Sequence, residues 1–141
     1  MQACNLQTLP SENNPLHYYV HHMLTWPSLT YVAEDARGRI VGYVIARMVE
    51  DAAGAVYGHL RALSVLRSYR RLGLARKLVL QCQEAMRTTY RAAYVALNVR
   101  KTNRAAFGLY HDALGFAVHE ARKQFYANGE DAYAMRFSFE P

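Results

Sequence analysis

The chain has 141 residues, 52% of them apolar and 20% charged, with a net charge of +6. That length is one domain, expected to run over residues 1–141, and that apolar share excludes wholesale disorder. No apolar run reaches the ~20 residues needed to span a bilayer, no signal-peptide pattern opens the chain, and Cys4 and Cys82 are too few for a disulfide framework; a reducing, cytoplasmic setting without a membrane partner is expected.

The charge is unevenly placed. Eleven of the seventeen Lys and Arg lie between Arg61 and Arg104, where Glu84 is the only acidic residue. Such a run reads as a solvated face, as an RNA contact or as a site for a polyanionic cofactor.

In chain order, residues 1–8 carry the pattern of the tail of a helix, and Pro10 and Pro15 bracket a loop over residues 9–15. Residues 17–26 read as a second helix. It holds His17, His21 and His22, but no carboxylate or thiol partner lies near them and HExxH is absent, so no metal site is expected. Residues 29–35 alternate as a strand, Asp35-Ala36-Arg37-Gly38 is a turn, and residues 40–48 return as the second strand of a hairpin. After a loop of small and acidic residues over 50–54, residues 57–65 form a third strand.

That strand leads into Arg70-Arg71-Leu72-Gly73-Leu74-Ala75, a match to Arg/Gln-x-x-Gly-x-Gly/Ala. Small residues at Gly73 and Ala75 let the backbone approach a bulky anion closely. The helix that follows turns its free N–H groups and positive dipole end toward that anion. A basic surface turn would also carry these six residues; their place between a strand and a helix favours the cradle. In the helix, Leu74, Leu78, Cys82, Ala85, Met86 and Thr89 form one stripe, and Arg76, Lys77, Gln83, Glu84 and Arg87 form the opposite face. Residues 94–99 are short, apolar and β-branched, as a buried parallel strand should be. Residues 103–114 predict a helix with Gly115 as its C-cap. Residues 116–125 and 132–139 predict two strands joined through Asn128-Gly129.

The segments WPSLTYVAED, RIVGYV, LSVLRSYRRLGLARKL, YVALNVRKTNRAAFGLY and YANGEDAYAM resemble the GCN5-related N-acetyltransferase superfamily, and within it the catalytic subunits of the N-terminal acetyltransferase A type. The resemblance covers nearly the whole chain. It implies the GNAT fold: α/β, with a mixed, mostly antiparallel sheet flanked by helices, whose one parallel pair, residues 57–65 beside 94–99, splays to admit the cofactor. It also implies that the usual first strand and most of the first helix are missing ahead of residue 1.

Acetyl transfer from a thioester to an amine needs a cradle for the pyrophosphate, donors that polarise the carbonyl, a base for the amine and a proton for the departing thiolate. By resemblance, acetyl-CoA is the cosubstrate. Arg70, Arg71, Leu72, Gly73, Leu74 and Ala75 cradle it, and a backbone N–H around Leu63, Ser64 and Val65 polarises the carbonyl. Asn103 contacts the cofactor arm, and Tyr110 lies near the sulfur as the acid. Their spacing of seven puts Asn103 and Tyr110 on one side of a helix, where Tyr110 could equally be an aromatic packed in the core. Glu12 matches the glutamate of the amine side, or is an exposed loop carboxylate. Arg100 and Tyr126, and more loosely Leu9, Pro10 and Tyr133, match positions lining the peptide site.

Three positions depart from the family. Asn98 stands where a histidine is frequent, Phe125 replaces the first of a tyrosine pair, and Asn14 stands where an aromatic usually follows the glutamate. They bear on the base and the first-residue pocket. An α-amine has a pKa of ~7.7–8.0 and is roughly a tenth neutral near pH 7, whereas a lysine at ~10.4 is under about a thousandth neutral. Modest base assistance therefore suits α-amines.

The activity implied is acetylation of nascent-chain N-termini on Ser, Ala, Thr or Gly after methionine removal, and of acidic N-termini when the chain is free of its helical-repeat auxiliary subunit, with ribosome association. Acetylation of lysine or a small amine is an alternative that needs a stronger base. A non-catalytic CoA- or RNA-binding subunit of the same fold is another; RNA binding would weaken steeply with salt.

Overall fold

The computed structural model describes residues 25–26 and 29–139. The expectations on residues 1–24, which include both N-terminal helical patterns, the loop 9–15 with Glu12, Cys4 and the three histidines, lie outside the described residues.

The described chain runs β1 (Thr30–Glu34), β2 (Ile40–Glu50), β3 (Val56–Val65), a 3-10 turn (Arg67–Tyr69), α1 (Leu74–Thr88), β4 (Tyr94–Arg100), α2 (Arg104–Gly108) with a π-helical turn (Leu109–Ala113), β5 (Ala117–Arg122) and β6 (Ala132–Ser138). The six strands form one sheet in the order β1-β2-β3-β4-β6-β5, and only β3 and β4 run parallel. The mixed, mostly antiparallel sheet expected from the sequence is therefore present.

The first two turns are built alike. Asp35 accepts hydrogen bonds from the backbone N–H of Arg37 and Arg39, each at 2.9 Å, and Asp51 does the same for Ala53 and Ala55. Each aspartate thereby replaces backbone partners the turn would otherwise leave to water.

The parallel pair defines the centre of the molecule. Its ladder consists of Gly58↔Val95 and His59↔Ala96, after which the two strands part. A bulge helps to separate them: Ile45 pairs with Ala62 and Ala46 with Leu60, so Arg61 is an extra residue on β3. Such a bulge bends its strand and sharpens the local twist.

One face of the sheet packs on α1 through Leu78, Val79, Cys82 and Met86, against Val44, Leu60 and Val95. Each side chain so buried contributes about 1.5–3 kcal/mol. Gly58 lets the helix come close: a Cβ there would meet Met86 Cε at 2.6 Å and Cγ at 2.8 Å. On the other face Val41, Tyr43 and Ile45 of β2 are buried with Leu66.

Four local expectations need correction. Thr89, placed on the apolar stripe of α1, is exposed and caps the helix from outside it. Gln83, placed on the exposed face of α1, is buried, because Val79 and Met86 widen the apolar stripe to include its side of the helix. The helix expected over 103–114 begins one residue later, with Asn103 as its cap, and its second half is a π turn. The strand expected over 116–125 ends at Arg122, where the chain turns through Gln124 at φ +51°.

Candidate active site

The cradle is assembled by the transition from β3 to α1. Leu66 donates its N–H to the Val41 carbonyl at 2.7 Å, which fixes the phase of the strand. Alternation then turns the backbone N–H groups of Leu63 and Val65 toward β4, while Ser64 faces β2. The ladder with β4 has already ended at His59, so the Leu63 and Val65 groups face the opening between the strands. Of the three residues expected to polarise a carbonyl, these two are suitably turned. The side chain of Ser64 is buried on the face away from α1.

The loop itself is shaped by backbone conformation. Arg71 has φ +63° and Gly73 has φ +79°. Gly73 is the N-cap of α1, with no side-chain cap and no acidic residue in the first turn. The first N–H groups of the helix are thus left to a ligand or to water. A Cβ built on Gly73 meets nothing within 4 Å, so the space beside it is open. An open left-handed turn before an uncapped helix end, next to Arg71, fits a pyrophosphate. Arg70 behaves differently from its neighbour: its Nε donates to the Val65 carbonyl at 3.1 Å and braces the loop from within. Leu72 is exposed at the loop tip, and Leu74 and Ala75 begin the helix against the core.

Asn103 caps α2, accepting from the Ala106 N–H at 3.1 Å. That bond occupies a lone pair of its side-chain oxygen and leaves the amide N–H groups as donors. Tyr110 lies in the π turn, only 6% exposed, edge-on to Phe116 with ring centroids 5.5 Å apart. Burial, and then the neighbouring Cys82, raise its phenol above the ordinary tyrosine range. Like any tyrosine it is protonated at neutral pH, and the upward shift makes it a hydrogen-bond donor first and an acid second. Cys82, buried and pushed up to about 12, is an inert core thiol.

At the end of β4, Arg100 is held in a cluster. It donates to Glu130 at 2.9 Å and to Asn128 at 3.3 Å, and its guanidinium lies 3.8 Å from the centre of the Tyr126 ring. Lys101 pairs with Asp131 at 3.5 Å. These bonds staple the β5–β6 connection to the rim of the opening. Tyr133 turns the other way and packs on Phe107 of α2, with ring centroids 5.4 Å apart. Leu9, Pro10 and Glu12 lie outside the described residues, so the structure brings together Arg100 and Tyr126 of the expected peptide-site set, but not Tyr133.

The sequence reading missed a cavity of about 260 Å³ on the sheet face away from α1. Four arginines (Arg47, Arg61, Arg122 and Arg136) line it with His59 and His119, and it includes Asn98 and Phe125. Burial first, then Arg61, Arg47 and Arg122, push the His59 imidazole down to about 4. Strand alternation of Tyr57, His59 and Arg61 was the available signal; the partners from β2, β5 and β6 share no spacing in the sequence. Among the described residues there is no cluster of three or more His, Cys, Asp or Glu that could hold a metal. No helix among them is long and apolar enough to cross a membrane.

Residues 2–116 match the acetyltransferase (GNAT) family. The chain is 54% identical over 136 residues to the N-terminal acetyltransferase A complex catalytic subunit NAA10 of Arabidopsis thaliana, covering 96% of this chain and 70% of that protein. It is 53% identical over 140 residues to the corresponding catalytic subunit, ard1, of Schizosaccharomyces pombe, covering 99% of this chain and 78% of that protein. Among solved structures, that of Chaetomium thermophilum Naa20 in complex with a bisubstrate analogue superposes with a TM-score of 0.85 at 31% identity, over 96% of this chain and 78% of the other. The chain belongs to the GNAT acetyltransferase family and, within it, to the catalytic subunits of N-terminal acetyltransferases.

Proposed function

We propose that this chain transfers the acetyl group of acetyl-CoA to the α-amine of nascent chains that begin with Ser, Ala, Thr or Gly after methionine removal. The observation that carries this reading is the parallel pair that opens after two residue pairs, next to an uncapped helix N-terminus preceded by the left-handed Gly73. The catalytic subunits it resembles are named as parts of a complex. A helical-repeat auxiliary subunit, association with the ribosome, a cytoplasmic location and a taste for acidic N-termini in the free subunit belong to the same proposal.

Acetyl-CoA supplies an activated thioester. The N–H groups at the start of α1, with Arg71, bind its pyrophosphate, and Asn103 holds its arm. The N–H groups of Leu63 and Val65 are placed to stabilise charge that develops on the carbonyl oxygen, which is commonly the largest single contribution to acyl transfer. Tyr110, protonated at neutral pH, offers its proton to the departing sulfur. Glu12 takes the amine proton, directly or through water, and Arg100 with Tyr126 lines the path of the acceptor. Asn98 cannot act as a base, and His59, already neutral, is a weak one. That weakness favours an α-amine over a lysine.

Intact-mass measurement with acetyl-CoA and peptides differing only in the first residue tests the reading. Ser- and Ala-peptides should each gain one acetyl group faster than Met- or Pro-peptides. Equal rates across the panel would refute the assigned substrate class.

A further inference from the structure

The cationic cavity on the sheet face away from α1 is unused by the mechanism above. Gly58 and Leu60 pack toward α1, so Tyr57, His59 and Arg61 face the opposite side, and the cavity lies along them beginning where the β3–β4 ladder opens. The cradle is carried by α1. An acceptor reaching the same opening must come from the other face, the one on which this cavity lies.

The charges there are unevenly satisfied. No acidic residue lines the cavity. Arg122 pairs with Glu120 at 3.1 Å, and Arg136 lies 4.5 Å from the centre of the Tyr94 ring. Arg61 has no ion pair among the described residues, and two nitrogens, Arg47 Nε and His59 Nδ1, are buried with no hydrogen-bond partner. A buried donor or acceptor left unmade costs stability, and each such group calls for an explanation. A guanidinium set of this kind matches a planar carboxylate in geometry as well as charge.

We infer that this cavity is a specificity subsite which receives an acidic side chain from the second or third residue of the acceptor chain, with Arg61 and His59 as its principal contacts and Arg47 and Arg122 behind them. The inference rests on the N-terminal acetyltransferase reading. The first residue's amine occupies the opening, and an extended chain advances about 3.3 Å per residue, so the following side chains pass along β3 from Arg61 toward Tyr57. Arg100, held by Glu130 and Asn128, serves the rim.

The test compares Ser-Glu-Glu and Ser-Gln-Gln peptides of otherwise identical sequence on the full chain. Wild type should favour the acidic peptide about tenfold in kcat/KM, the scale of one charge-assisted hydrogen bond, and the ratio should shrink as salt is raised. Arg61→Ser should bring the ratio near one, while Arg87→Ser, which removes the same charge from the far side of α1, should leave the ratio as in wild type. A wild-type ratio near one, or a ratio that Arg61→Ser does not change, overturns the subsite. Absence of acetylation of every peptide would instead overturn the N-terminal acetyltransferase reading. The subsite is then judged by calorimetry of the same two peptides on CoA-loaded protein, where a preference lost in Arg61→Ser upholds it and equal affinities overturn it.

Discussion

At residue scale, Gly73 carries the strictest demand. Its φ of +79° costs an L-residue about 1–2 kcal/mol, but the space beside it is open. Gly73→Ala should therefore fold with a modest loss of stability and keep measurable affinity for acetyl-CoA. Gly73→Glu should fold comparably and lose that affinity, because a carboxylate now occupies the anion site. Calorimetry of both variants separates strain from charge, and unchanged affinity in Gly73→Glu would refute the cradle. Tyr110→Phe keeps the packing against Phe116 and removes only the hydroxyl. Turnover should fall by about 10²-fold or more, the usual contribution of a positioned acid, with little change in cofactor affinity. Unchanged turnover would make Tyr110 a core aromatic and nothing more. His59 gives a pH signature of its own. Its ring takes a proton near 6.5 when unfolded and only near 4 when folded. Between those values the unfolded chain binds more protons, so stability should fall as pH drops through that window. Denaturation midpoints at pH 7 and pH 4.5 should differ less in His59→Asn than in wild type.

At element scale, the strands and α1 were legible from local pattern, alternation along β1, an apolar run after a turn along β2 and a period of 3.6 along α1. Gln83 escaped because polarity was read as exposure, whereas its place beside Val79 and Met86 buries it. Asn103 and Tyr110 were expected on one side of a regular helix. A cap at one and a π turn at the other change both their roles and their relative rotation, and hydrophobic spacing does not encode a π turn. The contact of β3 with α1 is tight enough to test. Gly58→Ala drives a methyl group into the fully buried Met86, whose side chain or helix must then shift. A loss of about 1–3 kcal/mol is expected, the usual cost of overpacking, read as a lowered denaturation midpoint. A neutral result would show that α1 can shift away from the sheet.

For the whole molecule, the basic run from Arg61 to Arg104 proves to be several surfaces. Arg71 lies in the cradle, Arg100 is at the rim, and Arg87 pairs with Glu84 at 2.9 Å on the outer side of α1. Arg61 joins arginines from three other strands across the sheet, which is why the cavity could not be read from sequence position. In the proposed reaction the opening between β3 and β4 is shared by two faces, with cofactor entering on the α1 side and acceptor on the other. The question this leaves for the chemistry is which nitrogen receives the acetyl group. Fragmentation mass spectrometry of a product peptide bearing both a free N-terminal serine and an internal lysine answers it. The acetyl group is expected on the α-nitrogen of the serine, with the lysine unmodified and no product from Gly73→Glu. Acetyl on the lysine ε-nitrogen, or equal product from Gly73→Glu, would contradict the proposed reaction.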